Sequence, residues 1–407
     1  MRNTLGSFLT QRRKWEKSVK AAATMRSANG APSSHLREIW NFGSNPGALR
    51  MLIHLPPQVS EDRALVVVLH GCTQSAAGYD LGAGWSTLAD RFGIALLLPE
   101  QQRSNNPNGC FNWFQAGDIE RGHGEACSIR QMVGKMVSDH GINPARVFVT
   151  GLSAGGAMAS VMLATYPDVF AGGAIVAGLP YGAATNVQQA FETMYQCPPR
   201  PARAWGDLVR GASPHNGPWP RVSIWHGGGD ATVIPSNAGE IVKQWTDVHG
   251  LPVAPKAQTI VDGYPRQVWV SADGDELIES YTITNMGHGT PLATGRADHE
   301  CGAVGPFLLE VGISSSYHIA KFFGLTVARQ SHVAPARSEI TVTGQRPQVI
   351  RPAAALPQPY VLEGEVLDAE LDARPEYTQI PPPAINIGAV ITKALTAAGL
   401  MKRGDTR

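Results

Sequence analysis

The sequence predicts a doubly wound α/β fold, in which a mostly parallel sheet carries helices on both of its faces. Apolar strand-like runs alternate with helical segments over most of the chain. Several runs, LVVVLH and IALLLP among them, are continuously aliphatic, which is typical of strands buried on both faces of a parallel sheet. Alternation of strands with helices favours right-handed crossovers between parallel neighbours.

The elements follow one another in a regular order along the chain. Strands are predicted at 48–55, 64–69, 94–99, 146–150, 173–177, 221–225 and 280–284. Helices are predicted at 84–92, 126–140, 154–166 and 235–248. Because ligands of such sheets bind at the carboxyl ends of the strands, the residues that directly follow each strand are the candidates for chemistry.

Composition excludes several classes of protein. The chain has 407 residues, of which 43% are hydrophobic and 16% charged, so it can form a large core and is not disordered as a whole. Its 34 basic and 33 acidic residues give a net charge of +1, which argues against nucleic acid as the main partner. No apolar run reaches the ~18–20 residues that span a bilayer.

Changes in composition predict four regions. Residues 1–35 are predicted to form a basic arm, either solvated or a surface-binding helix, and residues 36–328 to form one large α/β domain. Residues 329–384 are rich in proline and read as a linker. Residues 385–407 are predicted to include a short amphipathic helix, which either docks on its own domain or contacts a partner or an apolar particle.

The cysteines and the first residues bear on the compartment. The five cysteines are odd in number and widely spaced, without a CxxC pair, and so indicate neither a disulfide framework nor a zinc site. The basic start lacks the continuous apolar segment of a secretory signal. These features predict a reducing, cytoplasmic location, where thiols stay free.

The motif G-x-S-x-G stands between a predicted strand and a predicted helix. Gly151, Ser153 and Gly155 follow the run RVFVT and precede AMASVMLATYP. In this context the glycines allow a sharp turn that exposes the serine Oγ at the start of a helix. A plain helix N-cap would explain the serine but not the glycines, so Ser153 is predicted to be a nucleophile.

A nucleophilic serine needs a base and an orienting carboxylate. Asp230 follows the strand RVSIW in the run HGGGD, and His288 follows the strand YTITN in NMGHGTP. The order Ser153, Asp230, His288 is that of α/β-hydrolase sheets. The N–H groups of Ala154 and Cys72 are the predicted oxyanion donors, the second because Cys72 follows strand LVVVLH in the loop HGCTQ.

Other polar residues are weaker candidates. Asp207 and Asp262 are alternative acids, but neither directly follows a convincing core strand. His70 and His226 precede glycines at strand ends, where hydrogen bonds to the backbone are a better interpretation than proton transfer. The clusters around Glu125 and Glu300 lack recognised ligand spacing, so the sequence predicts no metal and no cofactor.

The segments VVVLHGCTQSAAGYD, CFNWF, GLSAGGAMA, HGGGDATV and NMGHGTP resemble the poly(3-hydroxybutyrate) depolymerase-type esterase family. The resemblance spans about residues 36–325. It implies an α/β-hydrolase fold, a serine esterase and the roles given above to Ser153, Asp230 and His288. Relatives include feruloyl and acetyl-xylan esterases. Many members are secreted, which makes an extracellular location the alternative.

The predicted activity is carboxylic-ester hydrolysis through an acyl-enzyme, with a hydroxyalkanoate (oligo)ester or a related ester as substrate. A feruloyl or acetyl-xylan esterase is the alternative. A peptidase of the same fold is less expected, because such enzymes usually carry a large extra domain that is not predicted here. A non-catalytic binding protein is also less expected, because such proteins usually lack a triad residue and all three are present here. Trp113, Tyr79 and Trp219 are predicted substrate contacts. Cys72 and Cys110 lie on loops that leave neighbouring strands and are candidates for a disulfide.

Overall fold

The computed structural model of the protein describes residues 35–57 and 62–326. The predicted linker and C-terminal helix lie outside these residues, as does all of the predicted N-terminal arm except its last residue. The division into four regions therefore stays a prediction. Within the described residues, no helix is both long enough and apolar enough to cross a membrane.

The described residues build one large sheet and a small two-stranded one. The strands are β1 Arg37–Ile39, β2 Arg50–His54, β3 Arg63–Leu69, β4 Ala95–Glu100, β5 Ile142–Leu152, β6 Gly172–Val176, β7 Arg221–Gly227, β8 Ala257–Val261, β9 Tyr264–Val270, β10 Glu276–Ile283, β11 Thr290–Leu292 and β12 Leu308–Glu310. The large sheet has the order β1-β2-β4-β3-β5-β6-β7-β10-β9-β8. Its centre, from β4 to β10, is parallel, and both edges are antiparallel.

Helices cover both faces of this sheet. They are α1 Ala76–Ala83, α2 Trp85–Phe92, α3 Ala116–Ile119, α4 Gly124–His140, α5 Ala154–Thr165, α6 Val187–Tyr195, α7 Ala202–Gly211, α8 Ser236–Val248 and α9 Ser315–Phe322. Side chains of α4, α5 and α8 form one apolar cluster with alternate residues of the strands. Side chains of α2 and α9 form a second cluster with the remaining residues. The predicted α/β-hydrolase architecture is confirmed.

Strand β3 explains why continuous apolar runs mark this fold. Leu65 and Val67 belong to one cluster, whereas Val66 and Val68 belong to the other. Since successive side chains of a strand point to opposite faces, a strand covered on both faces needs apolar residues at every position. The antiparallel edge strand β8 lacks this pattern because most of its residues are exposed, and the sequence did not predict it.

The carboxyl ends of the parallel strands carry the predicted functional residues at one edge of the sheet. His70 follows β3, Ser153 follows β5, and Asp230 lies three residues after β7. The strand predicted at 280–284 is β10, Glu276–Ile283, and His288 lies in the loop that follows it. Parallel pairing of these strands brings the four segments together.

Candidate active site

Ser153 occupies a sharp turn between β5 and α5. Its backbone has φ 57° and ψ −117°, in a region that residues other than glycine rarely adopt. The turn is held by two backbone hydrogen bonds, from Ser153 N to Val176 O (2.9 Å) and from Ala157 N to Ser153 O (2.8 Å). These bonds fix a strained backbone that presents the serine side chain beyond the end of the sheet.

The glycines of the motif are needed for close packing. A Cβ on Gly155 would stand 2.3 Å from Leu69 O and 2.6 Å from His70 O. A Cβ on Gly151 would stand 2.3 Å from Gly155 O. No side chain fits at either position, and the start of α5 can therefore lie directly against the end of β3.

Ser153, His288 and Asp230 form a continuous hydrogen-bonded chain. The Nε2 of His288 lies 2.9 Å from Ser153 Oγ, and its Nδ1 lies 2.7 Å from Asp230 Oδ2. The His288 ring also packs edge-on against Phe307, with 5.9 Å between the ring centres. The three side chains come from loops that are far apart in sequence, and each predicted triad residue stands within hydrogen-bonding distance of the next.

Backbone contacts join the loops that carry Asp230 and His288. Gly228 N donates to Ile283 O (2.8 Å) and Gly229 N to Met286 O (2.9 Å). A Cβ on Gly227 would stand 2.4 Å from Met286 O, so only glycine allows this approach. The glycines of HGGGD therefore hold the loop of Asp230 against the loop of His288, through hydrogen bonds and close packing.

Asp230 is buried and carries a charge that its neighbours stabilise. Burial by itself raises the pKa of Asp230, but His288, His226 and the N–H of Val233 together hold that pKa below its usual value. The Nε2 of His226 lies 2.8 Å from Val233 O. This hydrogen bond joins β7 to the far end of the loop that carries Asp230. The prediction that His226 binds backbone is confirmed.

The two predicted oxyanion donors belong to neighbouring elements, because Cys72 lies in the loop after β3 and Ala154 begins α5, whose first turn packs against the end of β3. Ala154 is the first residue of α5, where backbone N–H groups have no partner within the helix. Among the described residues, no backbone carbonyl accepts a hydrogen bond from the N–H of Cys72 or of Ala154. Two such N–H groups beside a serine can bind a negatively charged oxygen.

Comparison with known proteins decides the family. The family model described as "Esterase PHB depolymerase" matches residues 49–266, more than half of the chain. The chain belongs to the PHB depolymerase esterase family. The matched segment contains Ser153 and Asp230, whereas His288 lies beyond it.

Individual relatives of this chain are named for ester hydrolysis. The chain is 50% identical to "Poly(3-hydroxyalkanoate) depolymerase C" of Paucimonas lemoignei over 291 residues, which cover 71% of this chain and 70% of that protein. It is 33% identical to "Acetylxylan esterase" of Coprinopsis cinerea over 282 residues, 66% of this chain and 73% of that protein. This chain is a serine carboxylic-ester hydrolase.

A solved structure supports the same conclusion. "Acetyl xylan esterase from Aspergillus awamori" superposes with a TM-score of 0.58 at 28% sequence identity, covering 62% of this chain and 93% of that one. The common part therefore includes nearly all of that esterase. The fold that this chain shares with that acetyl xylan esterase is that of an ester hydrolase.

The predicted substrate contacts lie in less accessible places than expected. Tyr79 is 2% exposed, and its hydroxyl lies 3.2 Å from Thr290 Oγ1. Trp113 is 6% exposed and packs edge-on against Phe114. Trp219 is partly buried against the core, beside His215. Tyr79 and Trp113 belong to clusters on opposite faces of the sheet. A substrate role for Tyr79 does not fit this burial, because the ring has almost no surface to offer.

Cys72 and Cys110, which are 38 residues apart in sequence, form a disulfide. The sequence made this pair a candidate because the loops that carry them leave the ends of neighbouring strands. The neighbouring Thr73 N donates to Asn108 O (2.8 Å). The loop of the predicted oxyanion donor is therefore tied to the loop before α3 by a covalent bond and a hydrogen bond. Cys127, Cys197 and Cys301 are free.

The sequence did not predict the buried polar group formed by Gln101, Asn112 and Glu125, which contacts the backbone of Cys110. The side chain of Gln101 donates to Cys110 O (3.0 Å) and to Glu125 Oε1, and Asn112 N donates to Glu125 Oε2 (2.9 Å). Burial raises the pKa of Glu125 to about 8. In the sequence Glu125 stands between His123 and Cys127, directly before the helix predicted at 126–140, and was considered only as part of a possible metal cluster. No group of three or more potential metal ligands occurs in the part of the chain that the structure describes.

Proposed function

We propose that Ser153 is the nucleophile of this ester hydrolase, that His288 is its general base and acid, and that Asp230 orients His288. The observation that carries the proposal is the unbroken chain from Ser153 Oγ through His288 to Asp230 Oδ2, with contacts of 2.9 and 2.7 Å. Each contact joins a donor to an acceptor as the reaction requires. The strained backbone at Ser153 adds support.

The proposed reaction has two halves. His288 Nε2 takes the proton of Ser153 as Oγ bonds to the ester carbonyl carbon, and the carbonyl electron pair moves onto oxygen. Collapse of this intermediate breaks the bond to the alcohol, which leaves with the proton from His288. Water then attacks the acyl-enzyme with His288 as base, and the acid product and Ser153 are released.

The N–H groups of Cys72 and Ala154 are the proposed oxyanion donors. Support comes from their lack of a backbone acceptor among the described residues and from the position of Ala154 at the start of α5. The positive end of a helix dipole also favours negative charge at this point. Losing one such donor typically lowers kcat by about 10²–10³-fold.

The proposed substrate is an ester of a hydroxyalkanoate, as an oligomer or polymer. Support is the 50% identity with a protein named "Poly(3-hydroxyalkanoate) depolymerase C", against 33% with one named "Acetylxylan esterase". Hydroxybutyrate oligomers, a hydroxybutyrate polymer film, feruloyl esters and acetylated xylan, compared by kcat/KM, test this choice. A preference for feruloyl or acetyl esters would reject it.

The nucleophile is tested with Ser153→Ala and a short p-nitrophenyl ester. We expect hydrolysis to fall to background while the thermal unfolding midpoint stays within a few degrees. Ser138→Ala, at an exposed serine of α4, is the matched control and should keep full activity. Covalent labelling by a fluorophosphonate should require Ser153. Undiminished hydrolysis by Ser153→Ala would reject the assignment.

We also propose an extracellular or otherwise oxidising location in place of the cytoplasmic one predicted from the sequence. Support comes from the disulfide between Cys72 and Cys110, because cytoplasmic thiols are kept reduced. Fractionation of the producing cells, with activity and the disulfide followed together, tests it. Activity confined to the cytosol would contradict the proposal.

A further inference from the structure

His70 lies directly after β3 and is only 1% exposed. Its ring makes two hydrogen bonds with backbone groups at opposite corners. The Nε2 lies 3.1 Å from the backbone nitrogen of Gln101, and the Nδ1 lies 2.8 Å from Gly71 O. The sequence prediction that His70 binds backbone is thus confirmed, and the second bond ends beside the proposed oxyanion donor.

These two partners determine the tautomer of His70. A backbone N–H only donates, so Nε2 must offer its lone pair to Gln101. A backbone carbonyl only accepts, so Nδ1 must carry the proton and donate it to Gly71 O. His70 is therefore held neutral with the proton on Nδ1, because a second proton on Nε2 would face the N–H of Gln101.

The carbonyl that His70 binds belongs to the same peptide group as the N–H of Cys72. In a planar trans peptide the C=O and N–H point in opposite directions. A bond that fixes the direction of Gly71 O therefore also fixes the direction of the Cys72 N–H. Rotating this peptide away from Ser153 would break the bond to His70. Gly71 has no side chain to resist such a rotation.

We propose that His70 is a positioning residue, which holds and polarises the Gly71–Cys72 peptide so that its N–H faces the developing oxyanion. This inference rests on the proposed function. Gly71 O also accepts a hydrogen bond from Gln74 N (3.2 Å), and Gly71 N donates to Gln74 Oε1 (2.8 Å). Donors on the carbonyl side strengthen the N–H on the other side of the peptide, because hydrogen bonds in series polarise one another.

The Nε2 of His70 connects the ring to the buried polar group of Gln101, Asn112 and Glu125. Gln101, whose N–H binds Nε2, donates through its side chain to Cys110 O (3.0 Å). Cys110 is in turn the disulfide partner of Cys72. The Cys72 peptide is thus connected to Gln101 by two routes, one through His70 and one through the disulfide and Cys110. A histidine that only filled space would not need these hydrogen bonds.

The test separates the two hydrogen bonds of His70 with a matched pair of variants. In His70→Asn the side-chain amide can take the place of Nδ1 and still donate to Gly71 O. In His70→Gln the side-chain oxygen can take the place of Nε2 and still accept from Gln101, but the donor to Gly71 O is lost. On a soluble p-nitrophenyl ester we expect His70→Gln to lower kcat about 10–100-fold, less than the full loss of an oxyanion donor.

The matched variant His70→Asn is expected to keep kcat within about threefold of the wild type, since it retains the proposed contact. KM should change little in either variant, because the oxyanion forms only in the transition state. Equal losses of kcat in both variants, or an unchanged kcat in His70→Gln, would overturn the proposal.

A spectroscopic measurement on the unaltered side chain makes the test independent of how the variants fold. In ¹⁵N NMR at pH 7, His70 should be the neutral tautomer protonated on Nδ1, and the tautomer protonated on Nε2 would overturn the proposal. If His70→Gln does not fold, a loss of kcat above tenfold in folded His70→Asn also overturns it. Ser153→Ala separates a failure of the His70 proposal from a failure of the proposed function, since an active Ser153→Ala rejects the proposed function itself.

Discussion

The Oδ2 of Asp230 lies 2.7 Å from Nδ1 of His288, while the other carboxylate oxygen is already occupied. Oδ1 accepts hydrogen bonds from Thr232 N (2.8 Å) and Val233 N (2.9 Å). The carboxylate therefore cannot rotate without losing backbone partners, and only one of its oxygens faces His288. This arrangement determines what an asparagine would do at position 230.

Asp230→Asn is expected to lower kcat by about 10⁴-fold with little change in KM. The amide oxygen will take the place bound by Thr232 N and Val233 N, which leaves the amide NH₂ facing His288. A donor at that position forces the proton of His288 onto Nε2, where it can no longer accept the serine proton. Steady-state kinetics on a soluble ester measure the effect.

Asp207→Asn is the matched control for this prediction. Asp207 was an alternative acid in the sequence, but its side chain is 57% exposed and pairs with Arg210. Its replacement should leave kcat unchanged. Similar losses in both variants, or an active Asp230→Asn, would contradict the role given to Asp230.

The close packing at Ser153 predicts the effect of a single methyl group. Gly155→Ala would bring a Cβ within 2.3 Å of Leu69 O, and a backbone atom cannot move away as a flexible side chain can. We expect the free energy of unfolding to fall by more than about 2 kcal/mol, together with a large loss of kcat. Urea unfolding and ester kinetics measure the two effects.

Gly239→Ala serves as the control for the glycine substitution. Gly239 lies within α8, and a Cβ there meets nothing within 4 Å. Because alanine is the better helix former, stability should stay equal or rise by up to about 1 kcal/mol. If the two alanine variants were equally stable, the close approach of α5 to β3 would not be required.

The sequence predicted the parallel centre of the fold and the three residues of the hydrogen-bonded chain from local patterns. Ser153, Asp230 and His288 each follow a buried strand in a glycine-containing loop, and strand pairing brings such loops together. A local pattern identified the buried strands, but it does not reveal whether a single aromatic residue outside them, such as Tyr79, becomes buried. Tyr79 meets Thr290 across 211 positions, so its burial depends on contacts that no spacing along the chain records.

The same limit applies to the groups around the oxyanion donor. The partner of His70 Nε2 is the backbone of Gln101, 31 positions away, and the donors to the buried carboxylate of Glu125 come from Gln101 and Asn112, 24 and 13 positions away. Strands β8 and β9 and helices α6 and α7 were likewise not predicted from the sequence, and β8 is an edge strand whose residues are mostly exposed. Their positions depend on packing against the parallel core.

The disulfide predicts both a thiol count and a change in stability. Denatured, unreduced protein should contain three reactive thiols, from the cysteines that are free in the structure, and five would show that the bond does not form. Cys110→Ala should lower the free energy of unfolding by about 2–4 kcal/mol, since the bond closes a long loop in the unfolded chain. Cys127→Ala, at a free and partly exposed cysteine, is the control and should change stability by much less.

His249 predicts a dependence of stability on pH. Burial lowers the pKa of His249 to about 4, although its Nε2 lies 3.1 Å from Pro220 O. In the unfolded chain a histidine has a pKa of about 6.5. Between these two values the unfolded state binds a proton that the folded state does not, so stability falls as the pH drops from about 6.5 to about 4.

Replacing His249 by glutamine should remove this part of the pH dependence, because the amide NH₂ can still donate to Pro220 O but does not titrate. We expect the stability advantage of the wild type over His249→Gln to shrink by about 3 kcal/mol between pH 7 and pH 4. His123→Gln, at a side chain that is 67% exposed, should leave the pH dependence of the wild type unchanged. Urea unfolding of all three proteins at a series of pH values measures the difference. Parallel curves for the wild type and His249→Gln would show that His249 does not stay neutral through burial.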